Sequence, residues 1–222
     1  MTRKPNTIKE VNLVVINPVG RAGSVLMQSL FDGHPRLVTL PYHGQIYHRI
    51  PERIEDIDAY FKVFLGDHPA LFDSSKGFFG LIGVCVTQKF GAEGNQDIVL
   101  NVETFVRAVK QVLKECDVDH LNVARREFFS AIHFAYLMCL GIQDWREITH
   151  IVYHPHGNDE WDVLLDDFPD LFYIAMTRDP RQDWESWRKV VAFRANSTVE
   201  ELSPLELLST ASSFSHDAFL LS

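Results

Sequence analysis

The sequence predicts a three-layer α/β/α domain around a central, mainly parallel sheet, and three observations support this. The apolar run 11–16 lacks polar alternation, which is typical of a strand buried inside a parallel sheet. This run leads into a glycine-containing turn and a helix, and the same strand–turn–helix order returns over residues 171–189. Apolar residues at helical spacing over 124–140 predict a helix that packs on the sheet. We found no repeat or linker, so residues 1–222 are predicted to form a single domain.

The first strand–turn–helix unit has the features of an anion site. The segment 17–24 is predicted to be a tight loop, and 25–32 a short helix with Ser24 as its N-cap and Gly33 as its stop. Backbone N–H groups at a helix start lack intrahelical partners, and Arg21 adds a positive charge inside the turn. No Gly-Lys-Ser/Thr follows Gly20, so the loop is not a Walker A motif. An ordinary turn with two glycines is the alternative.

The middle of the chain alternates predicted strands and helices. Strands are predicted over 36–40 and 148–153, and helices over 50–65, 101–116, 124–140 and 159–167. His133 lies within an apolar helix and is predicted to be a core residue. His154 and His156 follow the strand 148–153, at the edge where ligands of α/β sheets gather. They are interpreted either as acceptor-binding residues or as a plain loop pair, because a metal site needs a third ligand.

The second strand–turn–helix unit carries a basic residue at its junction. Residues 171–189 are predicted to form a strand, a turn and a helix, and Asp179 is expected to cap that helix, with Pro180 at its first position. Gln182 is expected to complete a capping box with Asp179. Arg178 then sits at the strand end, and Ser186 falls about two turns into the helix.

Together, the two units resemble a known family. Gly20-Arg-Ala-Gly-Ser24 with Leu26, followed by Asp32-Gly-His-Pro35, is similar to the 5′-phosphosulfate loop of sulfotransferases that use PAPS (3′-phosphoadenosine 5′-phosphosulfate). Arg178-Asp-Pro-Arg181 with Ser186 resembles the 3′-phosphate motif of the same family. The likeness is nearer to the tyrosylprotein and carbohydrate branches, which use Arg in the loop, than to the cytosolic small-molecule branch, which uses Lys.

This resemblance implies a P-loop NTPase-like fold and sulfuryl transfer from PAPS, which leaves PAP, to a hydroxyl or amine of a small-molecule, carbohydrate or peptide acceptor. No metal is required. It further implies that Arg178 and Ser186 hold the 3′-phosphate, while the 5′-phosphosulfate is held by Gly20, Arg21, Ala22, Gly23, Ser24 and Val25. Many relatives have a hydroxyl residue at the place of Val25. The family also continues beyond the point where this chain ends, so the C-terminal part of the domain is expected to be incomplete.

The catalytic base departs from the family pattern. Related enzymes often place a glutamate just after the His-Pro step, and this sequence has none there. The nearest proton acceptor is His43, which is predicted to act as the general base because an ordinary histidine titrates near neutral pH. A solvated turn histidine is the alternative. Arg21 and His43 are therefore the predicted catalytic residues.

The amino-acid composition limits the classes of molecule that are expected to bind this protein. The net charge of −9 argues against nucleic acid or an anionic membrane as the main partner. A nucleotide must then be held by a local cluster, which Arg21, Arg178 and Arg181 are predicted to supply. Three cysteines without a CxxC predict free buried thiols. The polar N-terminus and the lack of a long apolar run predict a cytoplasmic protein without a membrane span. The oligomeric state is left open.

Two other functions compete with sulfotransfer. A P-loop enzyme that uses ATP or GTP is disfavoured, since Gly-Lys-Ser/Thr is missing and the strand before Arg178 ends in Thr-Arg and not in a magnesium-binding Asp. A catalytically inactive or truncated relative that serves as a nucleotide-binding or scaffold protein is the second alternative. The missing glutamate and the early end of the chain favour it.

Overall fold

A computed structural model of the chain describes residues 8–18, 23–40, 46–76, 97–141, 144–155, 161–194, 198–199, 201 and 203. It is an α/β fold whose strands are β1 (Asn12–Pro18), β2 (Leu37–Thr39), β3 (Arg53–Ile54), β4 (Val123–Ala124), β5 (His150–Tyr153) and β6 (Phe172–Met176). Its helices are α1 (Ser24–Phe31), α2 (Ile57–Asp67), α3 (Pro69–Phe72), α4 (Val102–Glu115), α5 (Arg125–Leu140), α6 (Trp161–Asp167) and α7 (Pro180–Arg194).

The central sheet has four parallel strands in the order β2-β5-β1-β6. The first strand of the chain therefore lies inside the sheet, between β5 and β6. Val15 is opposite Tyr153 on one side and Tyr173 on the other. This position explains the unbroken apolar run of β1, because both faces of an inner parallel strand are covered. The predicted α/β class with a parallel sheet is confirmed.

Helices cover both faces of this sheet. On one face, Phe129 of α5 makes an edge-on ring contact with Tyr153 of β5, and α4 packs against α5. On the other face, Gln28 of α1 donates a hydrogen bond to Thr39 of β2. Thr39 is opposite Val152, whose side chain points away from that of its neighbour Tyr153 because strand side chains alternate. The layers are therefore α/β/α.

The largest core lies between α5 and the sheet. The side chain of Phe129 is fully buried and meets the rings of Tyr47, Tyr153 and Phe168. The hydroxyl of Tyr47 donates a 2.7 Å hydrogen bond to Asp167. Together these contacts tie the chain around residue 47, helix α5 and the end of α6 to one face of the sheet.

The largest error in the prediction concerns α2. The spacing predicts a helix over 50–65, but α2 begins at Ile57. Asp56 accepts hydrogen bonds from the N–H groups of Asp58 and Ala59, which fixes the start of the helix. The segment before it pairs with β4 as a short antiparallel strand, so a long-range contact overrides local helical spacing.

Two further expectations concern thiols and membranes. Cys116 and Cys139 are free, but they are half-buried where full burial is predicted, and Cys85 lies outside the described residues. Burial raises the pKa of both thiols. In the part of the chain that the structure describes, no helix has both the length and the apolarity to cross a bilayer.

His133 is confirmed as a core residue and leads to a prediction about pH. Burial lowers its pKa from 6.5 to about 4, so the unfolded chain binds one more proton between these values and stability falls as the pH drops through them. When the pH is lowered from 8 to 5, the free energy of unfolding of the wild type should fall in part because of this histidine. In His133→Leu this fall should be smaller by about 2 kcal/mol. Urea titrations at both values measure this. Ser130→Ala, a buried change on the same helix, should keep the wild-type difference, and an equal pH dependence in His133→Leu would refute the assignment.

Candidate functional site at the carboxyl edge of the sheet

The two predicted motifs leave the sheet side by side. β1 and β6 are parallel neighbours, and their last paired residues are Pro18 and Met176. The loop after β1 and the turn that contains Arg178 therefore start at the same edge. After β1 the chain enters α1 on one face of the sheet, whereas after β5 it enters α6 on the other face. Trp161 of α6 packs on Tyr173, whose side chain lies on the same face of the sheet as that of Tyr153. Ligands of open α/β sheets bind at such a reversal.

The start of α1 is built differently from the prediction. Gly23, not Ser24, is the N-cap residue, and Ser24 is the first residue of the helix. Gly23 has φ 86°, a left-handed conformation that residues with a Cβ adopt at a cost. A glycine is therefore required where the chain turns into α1. Ser24 is buried and Val25 half-buried, whereas Gly20, Arg21 and Ala22 lie outside the described residues.

The Arg178 side of the site forms a shallow groove along the first turns of α7. Arg178 and Ser186, the two predicted 3′-phosphate residues, line it together. Arg178 Nε donates a 3.1 Å hydrogen bond to Gln182 Oε1, which crosses one helical turn. Gln182 thus orients Arg178, a contact different from the expected capping box. The remaining lining residues are Arg181, Gln182, Glu185 and Lys189.

Asp179 caps α7 as predicted and alters the role of Arg181. Its carboxylate accepts a 2.9 Å hydrogen bond from the backbone N–H of Arg181. The same carboxylate binds the Arg181 guanidinium through two nitrogens, at 3.1 and 2.7 Å. This contact lowers the pKa of Asp179. Arg181 therefore has a carboxylate partner within its own turn, and it lines the groove together with Arg178 and Lys189.

Buried polar side chains gather at the same edge of the sheet, near the ends of β1, β2 and β5. His154, the first residue after β5, contacts Gln28 of α1 at 2.9 Å between Nδ1 and Oε1. Gln28 Nε2 donates to Thr39 Oγ1 at 3.0 Å and to the backbone oxygen of Leu40 at 2.6 Å. Asn17 Nδ2 donates to Tyr173 at 3.0 Å. Such groups are costly to bury without partners, and this edge supplies partners from separate elements.

Sequence reasoning missed Gln28 and Lys189, although both follow from helix geometry. Gln28 comes one turn after Ser24 and so lies on the same face of α1. That face is polar and buried, whereas Leu26 and Leu30 are about two-thirds exposed. Lys189 is one turn beyond Ser186 and reaches the same groove. The sequence did contain a signal for both residues, because each stands one helical turn after a predicted site residue.

Of the three histidines predicted as base or acceptor contacts, the structure describes one. His154 is 2% exposed and lies at the carboxyl edge. His43 and His156 lie outside the described residues.

Comparison of the chain with family models, curated proteins and solved structures finds no match. Among the described residues, no group of three or more His, Cys, Asp or Glu side chains is arranged to hold a metal ion.

The conformation of Gly23 predicts opposite effects for two glycine substitutions. Nothing lies within 4 Å of a Cβ built on either Gly23 or Gly66, so neither substitution makes a clash. Gly23→Ala should lower the free energy of unfolding by about 1–2 kcal/mol, the cost of the left-handed backbone. Gly66→Ala, inside α2, should raise it by up to ~1 kcal/mol. Urea denaturation measures both, and a neutral Gly23→Ala would show that the turn does not need its left-handed residue.

Proposed function

We propose that this chain is a PAPS-dependent sulfotransferase that moves a sulfuryl group to a hydroxyl or amine acceptor. The supporting observation is the pairing of β1 with β6, which starts the phosphosulfate-like loop and the Arg178 turn at one edge of the sheet. A nucleotide with phosphates at its 5′ and 3′ positions needs two anion sites at one edge. The groove that joins Arg178, Ser186 and Lys189 offers hydrogen-bond donors for the second of them.

The chemistry follows from where charge develops. As the S–O bond to the 5′-phosphate breaks, negative charge grows on the bridging oxygen of the leaving group. Arg21 and the N–H groups of residues 22–25 meet this charge, and donors fixed in advance stabilise it without reorganisation. Ser24 assists through its hydroxyl. Arg178 and Ser186 hold the 3′-phosphate and so set the position of the nucleotide.

His43 is proposed as the base that takes the proton of the acceptor. His154 is the second candidate, favoured by its position at the edge and by its contact with α1. Histidine is the side chain that most often serves as a general base. The acceptor can be a small molecule, a carbohydrate or a peptide, because loops that select acceptors vary on a common scaffold.

Ligand-induced thermal shifts test the proposal against its alternatives. A ligand that binds only the folded state stabilises the protein, and this stabilisation grows with the ligand concentration. PAP without metal should raise the melting temperature more than ATP with magnesium, and labelled PAPS should then transfer its sulfuryl group to an acceptor in a screen. A larger shift with ATP and magnesium would support a P-loop ATP- or GTP-dependent enzyme. PAP binding without transfer to any acceptor would support a nucleotide-binding or scaffold protein.

Arg178→Ala tests the 3′-phosphate site. Because charge-assisted hydrogen bonds contribute about 1.5–3 kcal/mol, the substitution should weaken PAP binding by roughly 10- to 150-fold. Adenosine 5′-phosphosulfate, which lacks the 3′-phosphate, should bind nearly as before. Arg188→Ala is the matched control, since Arg188 lies on the same helix, is not among the residues that line the groove and pairs with Glu185, and it should change PAP affinity much less. Calorimetry measures both ligands, and equal losses for the two would refute the assignment.

Arg21→Ala tests whether Arg21 acts on the transition state. A contact that strengthens only as the S–O bond breaks raises turnover, whereas uniform binding changes apparent affinity. Turnover should fall by at least about 10²-fold, comparable with loss of an oxyanion-hole donor, and PAP affinity should fall much less. Arg21→Lys should recover part of the rate, because it restores charge without the fork of donors. Equal losses of rate and affinity in steady-state kinetics would make Arg21 a phosphate anchor only.

His43→Ala tests the proposed base. Loss of a general base should lower turnover by about 10²–10⁴-fold while PAP affinity is unchanged, because the base contacts the acceptor and not the nucleotide. Kinetics and calorimetry on the same preparation separate the two effects. Intact turnover in this variant would transfer the role to His154, which His154→Ala then tests in the same way.

A further inference from the structure

Gln28 and His154 form a buried hydrogen bond between two elements that are distant in sequence. Gln28 is 1% exposed and lies on the sheet-facing side of α1, the helix that begins at the proposed phosphosulfate loop. His154 is 2% exposed and follows the last residue of β5. The 2.9 Å contact therefore connects α1 to the carboxyl end of β5.

The identity of each atom in this contact follows from chemistry. The backbone oxygen of Leu40 can only accept a hydrogen bond, so the Gln28 atom 2.6 Å from it must be the amide nitrogen. The other amide atom is then the oxygen, which also can only accept. His154 Nδ1, at 2.9 Å from that oxygen, must therefore carry the hydrogen. In a neutral imidazole with Nδ1 protonated, the lone pair is on Nε2.

We propose that Gln28 is a positioning residue that holds His154 in the tautomer with Nδ1 protonated, so that Nε2 is the proton-accepting nitrogen of this imidazole. The role of Gln28 in turnover rests on the proposed sulfotransfer with His154, the second candidate, in place of His43 as the base, whereas the tautomer follows from the described contacts alone. Gln28 acts through His154 and touches neither nucleotide nor acceptor. The backbone oxygen of Leu40 and the hydroxyl of Thr39 hold the amide in its orientation.

The contrast with His133 separates positioning from ordinary burial. His133 Nδ1 donates to the backbone oxygen of Phe129, one turn earlier on its own helix. That contact is local and would form on any helix with a histidine at this spacing. His154 instead receives its partner from a different element, and the partner has two further anchors. The Gln28–His154 contact therefore joins two elements of the fold, whereas the His133 contact stays within one helix.

Nitrogen-15 NMR of histidine side chains in the full 222-residue chain tests the tautomer. His154→Gln removes one set of signals and so assigns His154 among the ten histidines. At a pH where His154 is neutral, we expect its Nδ1 to show the shift of a protonated nitrogen and its Nε2 that of an unprotonated one. The reverse pattern in the wild-type protein overturns the proposal.

Variants of Gln28 test the positioning role. Gln28→Leu removes the acceptor, so the tautomer with Nε2 protonated should become populated and turnover with PAPS should fall about tenfold, the factor of one ordinary hydrogen bond. PAP affinity should stay within about twofold, because phosphate contacts are unchanged. Gln28→Glu with its carboxyl protonated keeps a donor toward the Leu40 oxygen and an acceptor toward Nδ1, so at a pH where that carboxyl is protonated it should preserve the tautomer. Should Gln28→Leu fail to fold, Gln28→Glu and the wild-type spectrum decide between the outcomes.

Ser29→Ala is the matched control, since it removes a hydroxyl from the exposed face of the same helix. It should leave the tautomer, turnover and PAP affinity unchanged. Full turnover in folded Gln28→Leu overturns the positioning role. A wild-type chain that binds no PAP overturns the proposed function and, with it, the role of Gln28 in turnover, whereas the NMR spectrum still decides the tautomer. The two failures are therefore distinguishable.

Discussion

The parallel pairing of β1 with both β5 and β6 is the constraint on which the rest of this structure depends. It brings three segments that are far apart in sequence to one edge: the loop after β1, His154 after β5, and Arg178 after β6. Parallel neighbours end at the same edge, so the chain needs no special folding of its loops to bring these residues close together. If β1 stood at the edge of the sheet, one of these segments would leave the site.

The polarity of α1 is a second consequence of that edge. Most helices that cover a sheet bury apolar residues, but α1 buries Ser24 and Gln28 and exposes Leu26 and Leu30. This is stable because Gln28 is hydrogen-bonded on every side: Leu40 and Thr39 accept from it, and His154 donates to it. The helix is therefore attached to the sheet by directional contacts, which fix its position along the strands more closely than apolar packing does.

The sequence was sufficient for the features that depend on local pattern. The run 11–16 and the apolar spacing over 124–140 led to elements that the structure contains. Helix α1 ends before Gly33 and Asp179 caps α7, as predicted. It was insufficient where partners come from elsewhere in the chain. The start of α2 depends on the pairing of β3 with β4, and the burial of Gln28 depends on the ends of β2 and β5. The N-cap of α1 was misplaced by one residue, because the left-handed turn at Gly23 leaves no trace in residue types beyond the glycine itself.

Two buried histidines show how such contacts can identify a site where residue type and burial do not. His133 and His154 are both nearly inaccessible, and both use Nδ1 in a hydrogen bond. For His133 the partner belongs to the same helix, and burial lowers its pKa to about 4. For His154 the partner is a side chain from another element, at a sheet edge where further polar groups are buried. The origin of the hydrogen-bond partner, and not the degree of burial, therefore distinguishes His154 from His133.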